Sequence, residues 1–350
     1  MPHRGRLNLL TDVLRFSPGA LFHKIMGNSE VPEGVNAAGD VLSHLSNSVD
    51  LTYAGDKSVH VSLLHNPSHL EAVNPVAMGK ARAKQMDLQA TLERAASGAP
   101  SSCAIGDRVM CVQIHGDAAF TGQGVVMESL AISDIPHFSS GGSVHVIVNN
   151  QIGFTTPAMN SRSSIYTSDV GKMINAPVIH VNGDNPADVL RASEIALHFR
   201  QKFRRDVIID LVTYRRWGHN ELDEPAFTQP EMYKIIRARK SVPHLFEQRL
   251  EKEGVITAAA AKETREKEYA RLDAHMKEAP QYKPQPYYLQ GKWEGMTINT
   301  SRLGEDVQTG VDEETLKRVG HASIAVPDGF VIHERLEKGY ATFICAQFFC

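Results

Sequence analysis

The chain has 350 residues, of which 42% are apolar and 22% are charged, so it has the composition of an ordinary globular protein with one or two domains. Its formal net charge of −3 gives no reason to expect a nucleic-acid partner, and no apolar run approaches the roughly 20 residues that a membrane span needs. The four cysteines show neither a CxxC pair nor the spacing of a secreted disulfide framework, so we expect reduced thiols.

Short β-branched runs alternate with helical patterns through the first two thirds of the chain. Five of these runs predict strands, at residues 58–64, 108–114, 143–150, 177–183 and 206–214. Several are continuously apolar, as parallel strands covered on both faces tend to be. The pattern therefore predicts an α/β fold with a doubly wound, mainly parallel sheet, followed by helices and an irregular tail.

The segment between the fourth and fifth predicted strands indicates a helix. Asn185 is a candidate N-cap, and Pro186 suits the first helical turn. A stripe of apolar residues then recurs at helical spacing: Val189, Ala192, Ala196, Phe199 and Phe203. We expect this stripe to face the core.

The pattern changes after about residue 230. The stretch "EMYKIIRARK" and residues 244–279 predict charged helices with a break at Gly254. Two segments rich in small or turn-forming residues predict a surface loop at 93–107 and a linker at 280–295. We therefore expect three regions: an α/β domain at 1–240, a helical extension at 241–280, and a linker with the truncated start of a further region at 281–350.

Polar side chains follow two of the predicted strands at the point where each strand ends. Asp117 follows "VQIHG", and Asn150 ends "VHVIVNN" 33 residues later. Polar groups at the ends of buried strands are costly unless something polar or charged lies there, and sheets of this class bind ligands beyond their carboxyl ends. Carboxylate, amide and phosphate oxygens are the ligands that Mg²⁺ prefers. The sequence thus predicts a magnesium ion that carries a diphosphate.

Three glycines near Asp117 are consistent with this prediction. Gly116, Gly122 and Gly124 lack side chains where a diphosphate would approach the backbone. A helix that starts near Gly122 would turn its free N–H groups toward the anion.

Five segments together resemble one family of enzymes over roughly residues 1–240. They are "HRGRLN" (3–8), "NPSHLEAVNPV" (66–76), "HGDAAFTGQG" (115–124), "VNNQIGFTT" (148–156) and "YRRWGHNELDEPAFTQPEMYKIIR" (214–237). The chain resembles the thiamine diphosphate-dependent decarboxylating component of the 2-oxoglutarate dehydrogenase family. The family motif reads Gly-Asp-Gly followed by Asn-Asn, and here Ala118 stands in the third position.

The resemblance implies a set of cofactor-binding residues. By it, Asp117, Asn150 and the carbonyl group of Ile152 hold Mg²⁺, with Gly116 and Ala118 beside the cofactor. Arg4 resembles a family arginine near the cofactor phosphates. His219 is similar to a loop histidine that faces the diphosphate, with Arg215 as a second contact.

The resemblance also implies a pocket for a 2-oxo acid. His3, His44 and His69 resemble the histidines that line it, and Ser68 lies next to His69 in the sequence. Decarboxylation of a 2-oxo acid needs donors for the substrate carboxylates and proton donors for the developing charge, and histidine supplies both near neutral pH.

The stretch "GDVLSHL" (39–45) bears on the choice of substrate. The oxoglutarate-type enzymes read Gly-Asp-Val-Lys-Tyr-His, so Leu42 and Ser43 here replace a lysine and a tyrosine. A serine in place of a tyrosine would enlarge the pocket by enough for one further methylene. We therefore expect 2-oxoadipate as substrate, with overlap toward 2-oxoglutarate, because pockets discriminate a methylene by only about 10–200-fold.

The family resemblance also sets expectations about partners and completeness. It implies a homodimer in the full-length enzyme, acyl transfer to a lipoyl-bearing acyltransferase, and the mitochondrial matrix, with roles in lysine degradation or the tricarboxylic acid cycle. The family's pyrimidine-binding domain would lie beyond this chain, so we expect a fragment or short isoform. A second hypothesis is a non-catalytic product that binds cofactor or partner subunits only. A nicotinamide site is not indicated, because no GxGxxG opens the first predicted βα turn.

Overall fold

The computed structural model of the chain describes residues 1–33, 41–98, 102–284, 291–296 and 309–339. The chain divides into two compact units, Met1–Pro286 and Tyr287–Cys350. The described strands are β1 Asn47–Tyr53, β2 Lys57–Leu63, β3 Cys111–Gly116, β4 Ser143–Asn149, β5 Ile152–Gly153, β6 Thr156–Pro157, β7 Val178–Asn182 and β8 Val207–Val212.

The α-helices of the first unit are α1 Arg6–Asn8, α2 Pro18–Ile25, α3 Val73–Ala95, α4 Asp117–Gly122, α5 Gly124–Ile132, α6 Ala158–Ser161, α7 Pro186–Phe203, α8 Pro230–Ala238, α9 Val242–Lys252 and α10 Ala258–Glu278. A π-helix at Leu9–Val13 continues α1. Short 3₁₀ helices lie at Leu42–His44, Leu70–Ala72, Thr167–Ile174, Pro225–Phe227 and Ala279–Gln281.

Four parallel strands form the central sheet, in the order β3-β4-β8-β7. These are four of the five predicted strands, so the prediction of a parallel α/β sheet is confirmed. Gly116 at the end of β3 pairs in register with Val148, and Asn149 at the end of β4 pairs with Val212 of β8. The carboxyl ends of three neighbouring strands therefore lie level at one edge of the sheet, which sets the position of the loops that follow them.

The first predicted strand in chain order, at 58–64, does not belong to this sheet. It forms β2 of a separate antiparallel hairpin with β1, in which Val49 pairs with Val61 and Leu51 with Val59. The alternation of "SVHVS" explains the difference, because alternating strands suit a sheet with one solvated face, whereas the sheet strands are apolar on both faces. The hairpin packs instead on a small core around Leu10, Leu14, Leu21 and Leu45.

Both faces of the central sheet are covered, as a doubly wound fold requires. Val207 and Ile209 point toward α7, where they pack with Ala192 and Ala196. Ile208, between them, points to the opposite face and packs with Phe120 and Leu130 of α4 and α5. Side chains alternate across a strand, so one buried strand with apolar residues at successive positions joins the two cores.

Helix α7 confirms the predicted helix and most of its apolar stripe. Ala192 and Ala196 are buried and Val189 and Phe199 pack at the margin of the core, but Phe203 is 53% exposed because it lies in the last turn. Pro186 is the first helical residue as expected. The expected capping bond from Asn185 is absent, and its Oδ1 instead accepts a hydrogen bond from Nη1 of Arg249 at 2.8 Å.

The predicted surface loop at 93–107 is partly wrong. Helix α3 continues through Ala95, and Cys103 is buried, with Nε2 of Gln85 3.2 Å from its sulfur. The predicted charged helices are α8, α9 and α10, and Gly254 separates the last two with a φ of 73°. Their break is therefore a left-handed residue that glycine adopts without strain.

The described part of the second unit contains helix α11 at Glu313–Ile324 and a 3₁₀ turn at Gly291–Trp293. Asp312 caps α11 by accepting a hydrogen bond from the N–H of Thr315 at 2.7 Å. Gly39 and Asp40 of "GDVLSHL", part of the predicted linker and residues 340–350 of the apolar end lie outside the described residues. In the described ranges, every helix is either too short or too polar to cross a membrane.

Candidate functional site

Asp117 is the first residue of α4 and directly follows β3 at the carboxyl edge of the sheet. It is 2% exposed, and its Oδ2 has no hydrogen-bond partner among the described residues. Burial raises the pKa of its carboxyl group, although the N–H groups of Asp117, Ala118 and Asn150 and the charge of Arg162 act in the opposite direction. A buried carboxylate oxygen left in this state is costly, and a bound cation would relieve the cost.

The residues after β4 form a tight turn that faces Asp117. Asn149 Oδ1 accepts from the N–H of Gln151, and Asn150 Oδ1 accepts from the N–H of Ile152, both at 3.3 Å. Gln151 has a φ of 66°, in the left-handed region. These two bonds bend the chain sharply, and the backbone of Asn150 hydrogen-bonds to Asp117 at the start of α4.

The turn and the start of α4 are in direct contact. A Cβ placed on Gly153 would lie 2.7 Å from the Cβ of Ala118, so no larger residue fits at Gly153 without movement. By contrast, a Cβ on Gly116, Gly122 or Gly124 would meet nothing within 4 Å, which leaves open space beside the backbone. The structure therefore brings Asp117, Ala118, Asn150 and Ile152 together. It leaves open space beside Gly116, Gly122 and Gly124.

A helix does start near Gly122, as expected, at Gly124. Gly122 ends α4 rather than starting a helix, and α5 begins at Gly124 after an extended Gln123. Helix α4 begins at Asp117 itself, which explains why backbone N–H groups point at that carboxylate. The break between the helices arises because Gln123 has a ψ of 116°.

Arg4 joins the N-terminal segment to the loop that carries His219. Its Nη2 donates to the carbonyl oxygens of Gly218 at 2.9 Å and His219 at 3.1 Å. Burial, followed by the positive charges of Arg4 and Arg215, lowers the pKa of His219. Its imidazole is therefore held neutral near neutral pH, in a setting that attracts anions.

Arg215 is buried and serves first as a structural cross-link. It donates from Nε to the hydroxyl of Tyr233 at 3.0 Å and from Nη1 to the carbonyl of Phe154 at 2.8 Å. The Phe154 ring lies 4.6 Å from the ring of His219 in an edge-on contact. Since Phe154 is two residues after Ile152, the cluster of Arg4, Arg215 and His219 adjoins the turn that holds Asn150.

His3 and His44 come together although 41 residues separate them in the sequence. Their rings stack with centroids 5.1 Å apart, and Nδ2 of Asn66 lies 2.9 Å from Nδ1 of His3. Burial is the main cause that lowers the pKa of His3, and the neighbouring His44 adds to the effect. The backbone of Ser43 also hydrogen-bonds to His3. The segment in which the sequence departs from the oxoglutarate-type pattern thus touches the first of the expected pocket histidines.

Ser68 and His69 lie on an exposed loop just before the 3₁₀ helix at Leu70–Ala72. The structure does not place them in contact with His3 or His44, but one residue ties their loop to the sheet. Glu71 is buried, and its Oε2 lies 2.8 Å from Nδ1 of His115 on β3. This bond holds the loop against His115, which lies two residues before Asp117 in the sequence.

Sequence reasoning missed three residues at this edge. Arg162 has its Nη1 3.8 Å from Oδ2 of Asp117, and Thr167 donates to the carbonyl of Asp117 at 2.8 Å. Asp210, within β8, accepts from Nδ2 of Asn149 at 3.0 Å. Arg162 lies in an irregular polar loop and Thr167 begins the 3₁₀ helix that follows it, so no periodicity marks a site there. Asp210 was detectable as an acidic residue inside an otherwise apolar strand.

Residues 1–287 match the family described as "Dehydrogenase E1 component", which is more than half of the chain. The chain belongs to this family. The matched range includes the sheet, its carboxyl edge and every candidate site residue named above.

Within the aligned region, which covers nearly the whole chain, proteins from several organisms are close to half identical to it. It is 50% identical over 341 residues to the 2-oxoadipate dehydrogenase complex component E1 of Xenopus laevis, covering 97% of the chain and 36% of that protein. It is 49% identical over 338 residues to the protein of the same description from Homo sapiens, with coverages of 97% and 36%. It is 44% identical to a 2-oxoglutarate dehydrogenase E1 component from Brucella anthropi, covering 97% of the chain and 34% of that protein.

The chain therefore spans only about a third of the length of these relatives. The identity covers nearly the whole chain, so the family assignment applies to the α/β unit as a whole and does not rest on isolated motifs.

Proposed function

We propose that the chain binds magnesium and thiamine diphosphate at the carboxyl edge of its sheet. The observation that supports this most strongly is the buried, unpartnered Oδ2 of Asp117. In this proposal Asp117, Asn150 and the carbonyl of Ile152 hold the metal ion, and phosphate oxygens and water complete its shell. Carboxylate, amide and carbonyl oxygens are the ligands that a hard cation prefers, so these residues fit Mg²⁺.

The phosphate side of the site would be formed by backbone and cationic groups. Gly116 leaves space beside Ala118 at the start of α4, and Arg4 of the N-terminal segment is bound to the adjoining loop that carries His219. Arg215 is engaged with Tyr233 and Phe154, so we assign it the role of holding that loop, with a direct phosphate contact as its secondary role.

Bound thiamine diphosphate would supply an electron sink for the decarboxylation of a 2-oxo acid. The residues of the chain would bind and orient the acid. His3, a neutral imidazole near neutral pH, would hold or donate a proton at its other ring nitrogen, Nε2, while Nδ1 is fixed by Asn66. His44, His69 and Ser68 would bind the carboxylates of the acid.

We further propose a 2-oxo dicarboxylic acid as substrate, with 2-oxoadipate favoured over 2-oxoglutarate. The stacked His3 and His44 and the adjacent Leu42 and Ser43 support this assignment. The names of the relatives, which include both 2-oxoadipate and 2-oxoglutarate dehydrogenase components, agree with overlapping substrates.

The proposed context is a dehydrogenase complex. We infer acyl transfer to a lipoyl-bearing acyltransferase, a homodimer in the full-length enzyme, and the mitochondrial matrix as location, with residues 1–240 as the cofactor-binding part. The family description and the complex named for the relatives support these proposals.

Calorimetric titration of the chain with thiamine diphosphate, first with Mg²⁺ and then with EDTA, tests the cofactor site. We expect heat that depends on Mg²⁺ and that is lost in Asp117→Ala. The matched control is Asp134→Ala, which removes an exposed carboxylate paired with Arg205 away from the site. Equal binding by Asp117→Ala and the folded wild type would contradict the proposal.

A further inference from the structure

Arg162 is a buried cation with few partners. Its side chain is 7% exposed, and neither Nε nor Nη1 has a hydrogen-bond partner among the described residues. Nη2 has a contact of 3.5 Å with the carbonyl oxygen of Ile165, at the long limit of a hydrogen bond. Since buried charges in proteins are normally paired and hydrogen-bonded, an unengaged guanidinium of this kind indicates a ligand.

The unengaged atoms of Arg162 lie beside those of Asp117. Nη1 of Arg162 is 3.8 Å from Oδ2 of Asp117, too far for a hydrogen bond, and both atoms are buried without a hydrogen-bond partner among the described residues. Two opposite charges at this distance would normally close to a bidentate pair. Here the two buried groups lie side by side without closing.

The loop that carries Arg162 is fixed against Asp117 by other bonds. Thr167 Oγ1 donates to the carbonyl oxygen of Asp117 at 2.8 Å and pairs with Thr121 Oγ1 at 2.8 Å. Ser168 Oγ donates to Oδ2 of Asp210 at 3.0 Å. Thr167 and Ser168 therefore anchor the end of this loop to α4 and to β8, which holds the segment after Arg162 beside Asp117.

Charge balance indicates the kind of ligand that fits between them. The two side chains together are neutral, so a divalent cation alone beside Asp117 would be repelled by the guanidinium. A diphosphate brought with the metal supplies at least two negative charges and oxygen atoms that accept from Nε and Nη1. An anion without the metal would leave the carboxylate unpaired.

We propose that Arg162 is a ligand of the cofactor diphosphate, placed opposite the metal held by Asp117. Arg162 donates from Nε and Nη1 to phosphate oxygens while Asp117 Oδ2 binds Mg²⁺. This assignment rests on the proposed function and adds a cationic phosphate ligand to it.

The test compares thiamine diphosphate with thiamine monophosphate. Both are titrated calorimetrically with Mg²⁺ into the wild-type chain and into Arg162→Gln and Arg162→Lys. We expect Arg162→Gln to weaken the binding of thiamine diphosphate about 10- to 100-fold, which corresponds to the loss of a hydrogen bond to a charged group. The binding of thiamine monophosphate should weaken by less than about 3-fold. Arg162→Lys should recover part of the loss because it keeps the charge but not the planar fork.

The matched control is Arg205→Gln, which removes an exposed arginine paired with Asp134. Circular dichroism establishes that each variant is folded, and Arg162→Lys serves if Arg162→Gln does not fold. An equal loss for both thiamine esters would overturn the proposal, because it would indicate a structural role, and so would unchanged affinity for thiamine diphosphate.

Asp117→Ala separates this inference from the proposed function. If Asp117→Ala abolishes magnesium-dependent binding while Arg162→Gln binds like the wild type, only the role of Arg162 fails. If Asp117→Ala binds normally, the proposed metal site itself fails.

Discussion

Asn149 donates from Nδ2 to Oδ1 of Asp210, with 3.0 Å between the two atoms, and both residues are buried. Asp210 also accepts from Ser168 Oγ at 3.0 Å, and its Oδ2 lies 3.2 Å from Nδ1 of His180. The same carboxylate therefore holds the turn that presents Asn150 and the loop that carries Arg162. It positions two parts of the proposed site through Asn149 and Ser168.

Replacement of Asp210 should weaken the metal site without removing a metal ligand. We expect Asp210→Asn to lower the affinity for Mg²⁺, measured with thiamine diphosphate present, by about 10- to 100-fold, as for other outer-shell residues. Asp184→Asn is the control, since Asp184 pairs with Arg239 away from the site. An unchanged affinity for Mg²⁺ in a folded Asp210→Asn chain would show that the turn after β4 keeps its conformation without Asp210.

Substitution at Ser43 should change the preference between the two dicarboxylic acids. A tyrosine there would reduce the space near His3 and His44, so Ser43→Tyr should shift the ratio of affinities toward 2-oxoglutarate by about 10–200-fold. The ratio is measured by titration of both acids into the cofactor-loaded chain. Ser48→Tyr on the exposed hairpin is the control. An equal loss of affinity for both acids would refute a role of Ser43 in selectivity.

The thiol of Cys111 should resist alkylation in the folded chain. Burial raises its pKa from 9.0 to about 11, so the thiolate fraction at pH 8 falls about 100-fold relative to the unfolded chain. A raised folded-state pKa stabilises the fold below pH 9, and this contribution is lost as the pH rises through about 11. Mass spectrometry of iodoacetamide-treated peptides measures the rate at Cys111 with and without denaturant. Similar rates in the two states would contradict the burial argument.

Ile208 should be among the costliest core positions because it is fully buried in the middle of the sheet. Its Cδ1 approaches Gly171 closely, and it packs with Phe120 and Leu130. We expect Ile208→Ala to reduce the free energy of unfolding by about 2–5 kcal/mol in urea denaturation. Leu190→Ala, at a side chain 62% exposed, should change it by less than about 0.5 kcal/mol. A loss at Ile208 no larger than that at Leu190 would mean that this face of the sheet is not the core.

The sheet was predictable because its strands are apolar on both faces, whereas β1 was not. Its sequence "NSVDLTY" carries an asparagine, an aspartate and a threonine, which lie at an exposed hairpin surface and resemble a loop. Residue patterns also place Asp117 and Asn150 at strand ends. Because parallel strands run in one direction, these two ends are expected at the same edge of the sheet. The sequence cannot show that Arg162 returns to Asp117, because that contact depends on an irregular loop held by Thr167 and Ser168.

Coordination of the metal by Asp117 and the carbonyl of Ile152 is the central claim, and electron–nuclear double resonance on Mn²⁺ measures it most directly. Mn²⁺ replaces Mg²⁺ in the chain with thiamine diphosphate, and the aspartate carboxylates or isoleucine carbonyls are labelled with ¹³C. We expect ¹³C couplings to Mn²⁺ from both labels, and the loss of the aspartate coupling in Asp117→Ala. Bound Mn²⁺ that couples to phosphorus and water but to neither label would contradict the account.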